Sequence, residues 1–120
     1  MARDAALITK FTQPFPGREA KALQVFEDFI TFWSKKAADG YCTAPETFFC
    51  SDGSDAMSIV RGKSDALRDI YESEDHEQLF NKAQLTVDGV RVQLWYGGSE
   101  EETERLMRTF AVAGHELGYM

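Results

Sequence analysis

Long apolar runs are missing from this sequence: none approaches the roughly 18 to 20 residues that a bilayer-spanning helix needs, so no membrane segment is expected. The first ten residues, MARDAALITK, place an acid at Asp4 and lack the apolar stretch of a secretory leader, which makes a cytoplasmic protein the expectation. Cysteine is scarce. Cys42 and Cys50 form no CxxC pair and no framework, and in a reducing compartment they read as free thiols, with no disulfide required. HExxH, zinc-spaced Cys and His clusters, GxGxxG and the Walker loop are all absent, so neither a metal nor a nucleotide cofactor is expected. Basic residues are in the minority, 13 against 20 acidic, and they are scattered. A net charge of −7 without a basic patch repels a phosphate backbone, which argues against nucleic acid as a partner. No Pro, Gly or Ser-rich linker and no repeat divides residues 1–120, so one domain is expected.

What the chain does carry is a series of short, well-punctuated elements. Ala5 to Phe11 is β-prone and ends in the QPFPG turn. From Arg18 to Ala38 apolar residues recur at helical spacing, with Leu23, Phe26, Ile30, Trp33 and Ala37 on one stripe, Val25, Phe29 and Phe32 widening it, and Gly40 suited to a left-handed stop. Residues 46 to 61 predict two strands around an SDGS turn. Ser64 is a candidate N-cap for DALRDIYES, and Ser73 restarts the helix in EDHEQLFNKAQ. Asp88-Gly89 predicts a tight turn and a small hairpin between LTV and VRVQLWY. Ser99 and Glu102 make a capping box for a last helix that is expected to run to Gly114.

The order is β, α, β, β, α, β and a C-terminal helix, which predicts an α+β, ferredoxin-like antiparallel sheet with its helices on one face. In the strand Val90 to Tyr96, Val90, Val92, Leu94 and Tyr96 form one row and Arg91, Gln93 and Trp95 the other. The first row, Tyr96 included, reads as core. The second lies on the face that helices one and two leave bare, and an exposed patch of that kind points to a partner that covers it.

The element order, the aromatic-rich first helix ending in ADG, the hairpin, and the run IVRGKSDALRDIYESEDHEQL with its Ser73-x-x-His76 resemble the dimeric α+β barrel superfamily. The likeness extends over about residues 5 to 113. It implies ferredoxin-like subunits of the antibiotic biosynthesis monooxygenase type, paired sheet to sheet around a cavity. Members include cofactor-free quinone-forming monooxygenases, haem-degrading enzymes, decarboxylases and lactone isomerases. The haem-degrading branch uses an asparagine on the first strand, and Ala5 to Phe11 has none, so haem is not expected. An RNA-recognition sheet would show a basic, glycine and aromatic signature that AMSIVRG lacks, and TQPFPGRE lacks an acylphosphatase phosphate loop.

Two readings of function follow. In the first, the chain is a homodimer that binds, and oxidises or isomerises, an aromatic or polyketide-like small molecule in the space between the sheets. Arg91, Gln93 and Trp95 would hold a flat polar or anionic ligand, and His76, titrating near neutrality, would serve as a proton shuttle. The plain alternative puts Arg91 in an ion pair across a dimer, Trp95 in interface packing and His76 in solvent among Glu74, Asp75 and Glu77. His115 reads as a surface or interface residue. In the second reading the barrel is packed solid and the dimer is structural or regulatory.

Overall fold

Alternation of Ala5, Leu7, Thr9 and Phe11 with Ala6, Ile8 and Lys10 makes the first strand, β1, Asp4–Phe11, with the odd positions buried and the even ones less so. The computed structural model describes residues 2–120. After β1 come α1 (Glu19–Ala38), β2 (Glu46–Phe49), β3 (Ala56–Lys63), α2 (Ser64–Tyr71), α3 (Glu74–Gln84), β4 (Val90–Tyr96) and α4 (Glu100–Glu116). The strands lie in the order β2-β3-β1-β4, each antiparallel to its neighbour, which is the ferredoxin-like sheet that the element order predicts.

The core forms where Leu7, Phe11 and Val60 meet the helices. Phe11 makes edge contacts with Phe26 and Phe29 of α1, each at 5.3 Å between ring centroids. Trp33 and Leu67 are fully buried. The buried stripe of α1 runs through Ala22, Phe29 and Trp33 rather than along Leu23, which is exposed. Trp33 lies on the expected stripe, Phe26 and Ile30 pack partly buried beside the core, and Leu23 is the large residue of the stripe that stands in solvent. After α1, Gly40 takes φ 89°, and the N–H groups of Gly40 and Tyr41 donate to Ala37 and Lys36 carbonyls, closing the expected left-handed stop.

Local capping departs from expectation at three places. Ser64 is not the N-cap of α2: its N–H donates to the Arg3 carbonyl at 2.7 Å and its Oγ accepts from the Arg3 N–H at 3.0 Å, so it ties α2 to the chain before β1. Residues 85 to 87 form no hairpin with β4. Val87 bridges to Pro14, and the Asp88 N–H donates to the Gln13 carbonyl, so this segment pairs with the chain leaving β1. Finally, α4 continues through Gly114 to Glu116 and stops at Gly118, φ 82°, with Gly118 and Tyr119 N–H groups donating to His115 and Gly114 carbonyls. The tail folds back over Gly114, where a Cβ would meet Met120 Sδ at 2.9 Å.

Ser73 does cap α3, its Oγ accepting from the His76 N–H at 3.2 Å. Ser99 caps α4 in the same way through the Glu102 N–H, while the Glu102 carboxylate turns to Arg105 Nε at 2.5 Å. No described helix is long and apolar enough to cross a membrane.

Candidate functional site

Helices cover one face of the sheet, so the alternate residues of every strand share the other. Register sets which of them touch. Lys10 stands between Met57 and Arg91, Ile8 between Ile59 and Gln93, and Ala6 between Arg61 and Trp95. β2 extends the first two rows with Phe48 beside Met57 and Glu46 beside Ile59. The centre of the bare face is therefore apolar, and its flanks are basic. Arg91, Gln93 and Trp95 are all exposed on it, as their alternation predicts. The structure spreads them out: four residues of one strand, at about 3.3 Å each, separate Arg91 from Trp95 by roughly 13 Å. Arg91 stands beside Lys10, and no ion pair engages it among the described residues.

Arg61, which the sequence did not single out, is the cation in the row of Trp95. Ala6 lies between the two and is too small to fill the row, which leaves an open hollow of about 500 Å³ walled by Arg61, Lys63, Trp95 and the Gly97-Gly98 turn. Arg61 Nε donates to Glu46 at 2.8 Å. At the rim, Asp4 accepts from Lys63 Nζ at 2.5 Å and from Ser99 Oγ at 2.6 Å. The Lys63 hydrogen bond first, and Ser99 second, hold the Asp4 carboxyl below its ordinary range, and Asp4 in turn holds the Lys63 ammonium above its own. Tyr96, expected in the core, is more than a third exposed at the end of β4, because its ring is met there by polar side chains and not by an apolar layer. Its hydroxyl accepts from Arg68 Nη2 at 2.8 Å and the Arg3 guanidinium lies 5.0 Å from its ring.

On the helix-clad side, a second space opens where β1 ends. It is a groove of about 420 Å³ between α1, the tip of the β2-β3 hairpin and residues 83 to 87, lined chiefly by Phe11, Ala22, Leu23, Phe26, Ala83 and Val87. Ala22 and Ala83 make the room, since each is a small residue on the buried side of an otherwise bulky helix. The hairpin tip that forms one lip is pinned from two sides. Gln13 Nε2 donates to the Gly53 and Ser54 carbonyls, and the Asp52 carboxylate accepts from the Ser54 hydroxyl at 2.6 Å and N–H at 2.9 Å. The Ser54 hydroxyl, then the Cys50 thiol, pull Asp52 down to about 2. Neither small residue was a candidate in the sequence. The usable signal was helical spacing, since Ala22 lies four residues before Phe26 and Ala83 seven after His76, on the inward sides of their helices.

His76 lies elsewhere than expected. Instead of standing at a cavity mouth or in solvent, it is buried between α1 and α3, with Tyr71, Trp33 and Phe32 rings at centroid distances of 5.3, 5.8 and 6.1 Å. The cause is its place on α3: His76, Phe80 and Ala83 recur at helical spacing and face inward, while Glu74, Asp75 and Glu77 face out. Burial lowers the imidazole pKa to about 4, so the ring is neutral at neutral pH. Neither its Nε2 nor Trp33 Nε1 has a hydrogen-bond partner among the described residues. The ring borders a small cavity of about 10 Å³ that shares Phe11, Val25 and Ala83 with the groove, and it does not reach the face of Arg91, Gln93 and Trp95. Burial raises the Cys42 thiol above its ordinary value and keeps it protonated.

No protein-family model matches the sequence, and no curated protein matches it significantly. Solved structures match its shape. Rv0793 of Mycobacterium tuberculosis is 19% identical with a TM-score of 0.65, over 81% of this chain and 97% of that one. SnoaB of Streptomyces nogalater, a cofactor-independent oxygenase, is 13% identical with a TM-score of 0.63, over 82% of this chain and 96% of its own. SO0527 of Shewanella oneidensis is 10% identical with a TM-score of 0.64, over 79% and 91%. The fold is thus the one that the sequence resemblance implied, and at these identities the likeness is one of fold.

Proposed function

We propose that the chain is the subunit of a small-molecule oxygenase that needs no cofactor, and that a flat aromatic or polyketide-like substrate lies in the groove against Ala22 and Ala83. The groove itself carries the reading: about 420 Å³ of mainly apolar space falls within the size range of small-molecule sites. The shape shared with SnoaB, a cofactor-independent oxygenase, supports the reaction class. Such a reaction needs a substrate able to pass electrons to dioxygen once deprotonated, and an apolar site that keeps water from the intermediate. His76 is the imidazole nearest the groove, and its neutral form is available as a proton acceptor, with a low basicity that limits how much it contributes. Oxygen uptake with a panel of hydroxyquinones tests the reading. Turnover that falls with Ala83→Phe, which fills the groove, supports it; turnover indifferent to that variant rejects the groove, and rates unchanged in His76→Ala remove the imidazole.

A second reading, binding without turnover, is favoured by one observation: the titratable groups on the groove wall, Glu19, Cys50 and Asp55, are all exposed ones at its lips. Tight binding of the same compounds without oxygen uptake would select it. In either case we take the apolar centre of the bare face, Ile8 and Ile59 with Met57 and Phe48, as the surface through which two copies pair, and light scattering on the eluting protein checks the mass.

A further inference from the structure

We infer that the hollow between Arg61 and Trp95 is a second binding site, shaped for a planar aromatic carboxylate. The site is separate from the groove, on the opposite face of the sheet, and lies at the strand ends one row beyond the Ile8 and Ile59 row through which we take two copies to pair. Three features define the ligand. The first is a flat apolar wall, since Trp95 is 54% exposed although it lines a concave space. An indole in that position offers a stacking surface to a ring.

The second feature is the cation opposite. Arg61 spends Nε on Glu46, and its two Nη groups are the remaining donors of the fork. Nη1 is turned toward the Gly97-Gly98 turn, because a Cβ at Gly98 would lie 4.0 Å from it. Those paired donors match the two oxygens of a carboxylate. Lys63 and Asp4 at the rim are paired with each other, and the Arg61–Glu46 pair engages only Nε, so the two Nη groups of Arg61 are the donors left for an anion. The third feature is space. Ala6 sets the width between Arg61 and Trp95, and Gly97 and Gly98, with φ of 126° and 91°, form a wall without side chains. A ring stacked on Trp95 and carrying a carboxylate at its edge fits that order of walls.

The test uses the full-length protein and 2-naphthoate as the probe, followed by calorimetry and by indole emission. The chain has two tryptophans and Trp33 is fully buried, so acrylamide-accessible emission reports Trp95. Naphthoate should bind and shield that emission, and 2-naphthalenemethanol, the uncharged analogue, should bind roughly tenfold more weakly. Arg61→Gln should erase this preference, Arg61→Lys should restore part of it, and Ala6→Leu, which fills the hollow, should abolish binding of both. Ala83→Phe should change nothing here, and a groove that fails its own test leaves this result standing. No naphthoate binding at millimolar concentration, equal binding of the two analogues, or binding that survives Ala6→Leu would overturn the assignment.

Discussion

The two faces of the sheet carry similar patterning and meet different fates. On the clad face Leu7 and Val60 are cross-strand neighbours and almost fully buried; one residue along, Ile8 and Ile59 are also neighbours and are only partly covered. Apolar alternation therefore specifies which side chains share a face but not what covers them. The cover comes from α1, α2 and α3, whose buried residues all point to one side. The bare face keeps polar and basic groups at its edges and open space in the row of Ala6. One face holds the fold together, and the other contributes little to it within a single chain.

Trp33→Ala tests that division most severely. The side chain is fully buried among Phe29, Phe32 and His76, so its loss should cost about 4 kcal/mol in chemical denaturation. A loss below about 1 kcal/mol would mean that the clad face does not carry the fold.

Acid separates the faces next. The ordinary imidazole value is 6.5 and that of His76 in the folded protein is about 4, so the unfolded chain binds the extra proton between these values. Stability from this group is complete above about pH 6.5 and is lost as pH falls toward 4, a change of about 3 kcal/mol. His76→Phe should flatten that part of the stability-pH curve relative to the parent protein. An equal slope in both proteins would mean that the imidazole is not buried as described.

On the bare face the expectation reverses. Ile8→Asp should shift subunit stability by no more than about 1 kcal/mol, since the side chain has no helix over it. It should instead convert a paired species to a single chain in light scattering, because a carboxylate would sit at the centre of the apolar rows. A stable subunit whose mass is unchanged by this variant would remove the bare face as the pairing surface.

Most of the fold was legible in the sequence because it rests on local signals. Alternation gave β1 and β4, Gly40 gave the end of α1, and Ser73 and Ser99 gave two caps that the structure contains. The candidate site was less legible, since register is a property of two strands. Trp95 was visible as one of a bare row, but its neighbours Ala6 and Arg61 come from strands far away in sequence. His76 misled for a related reason. Its acidic neighbours suggested solvent, whereas the spacing from His76 to Phe80 and Ala83, seven residues in all, marks the inward side of a helix. Gly114 was read as a stop, whereas Gly118, four residues on, is the glycine that takes the positive φ and ends α4.

The smallest effect on stability is also the one that most sharpens the contrast between the faces. Arg61 and Glu46 form an exposed pair at 2.8 Å, so Glu46→Gln should cost no more than about 1 kcal/mol, and the difference should fade in molar salt. The same change removes the carboxylate that competes for the Arg61 fork. Naphthoate should then bind a few-fold more tightly, while binding of the uncharged analogue stays as it was. A core substitution could not produce that pattern, because it would move stability and leave charge selection alone. If Glu46→Gln instead weakened naphthoate binding, Glu46 would be holding Arg61 in its binding position, and the fork would depend on its acid partner rather than compete with it.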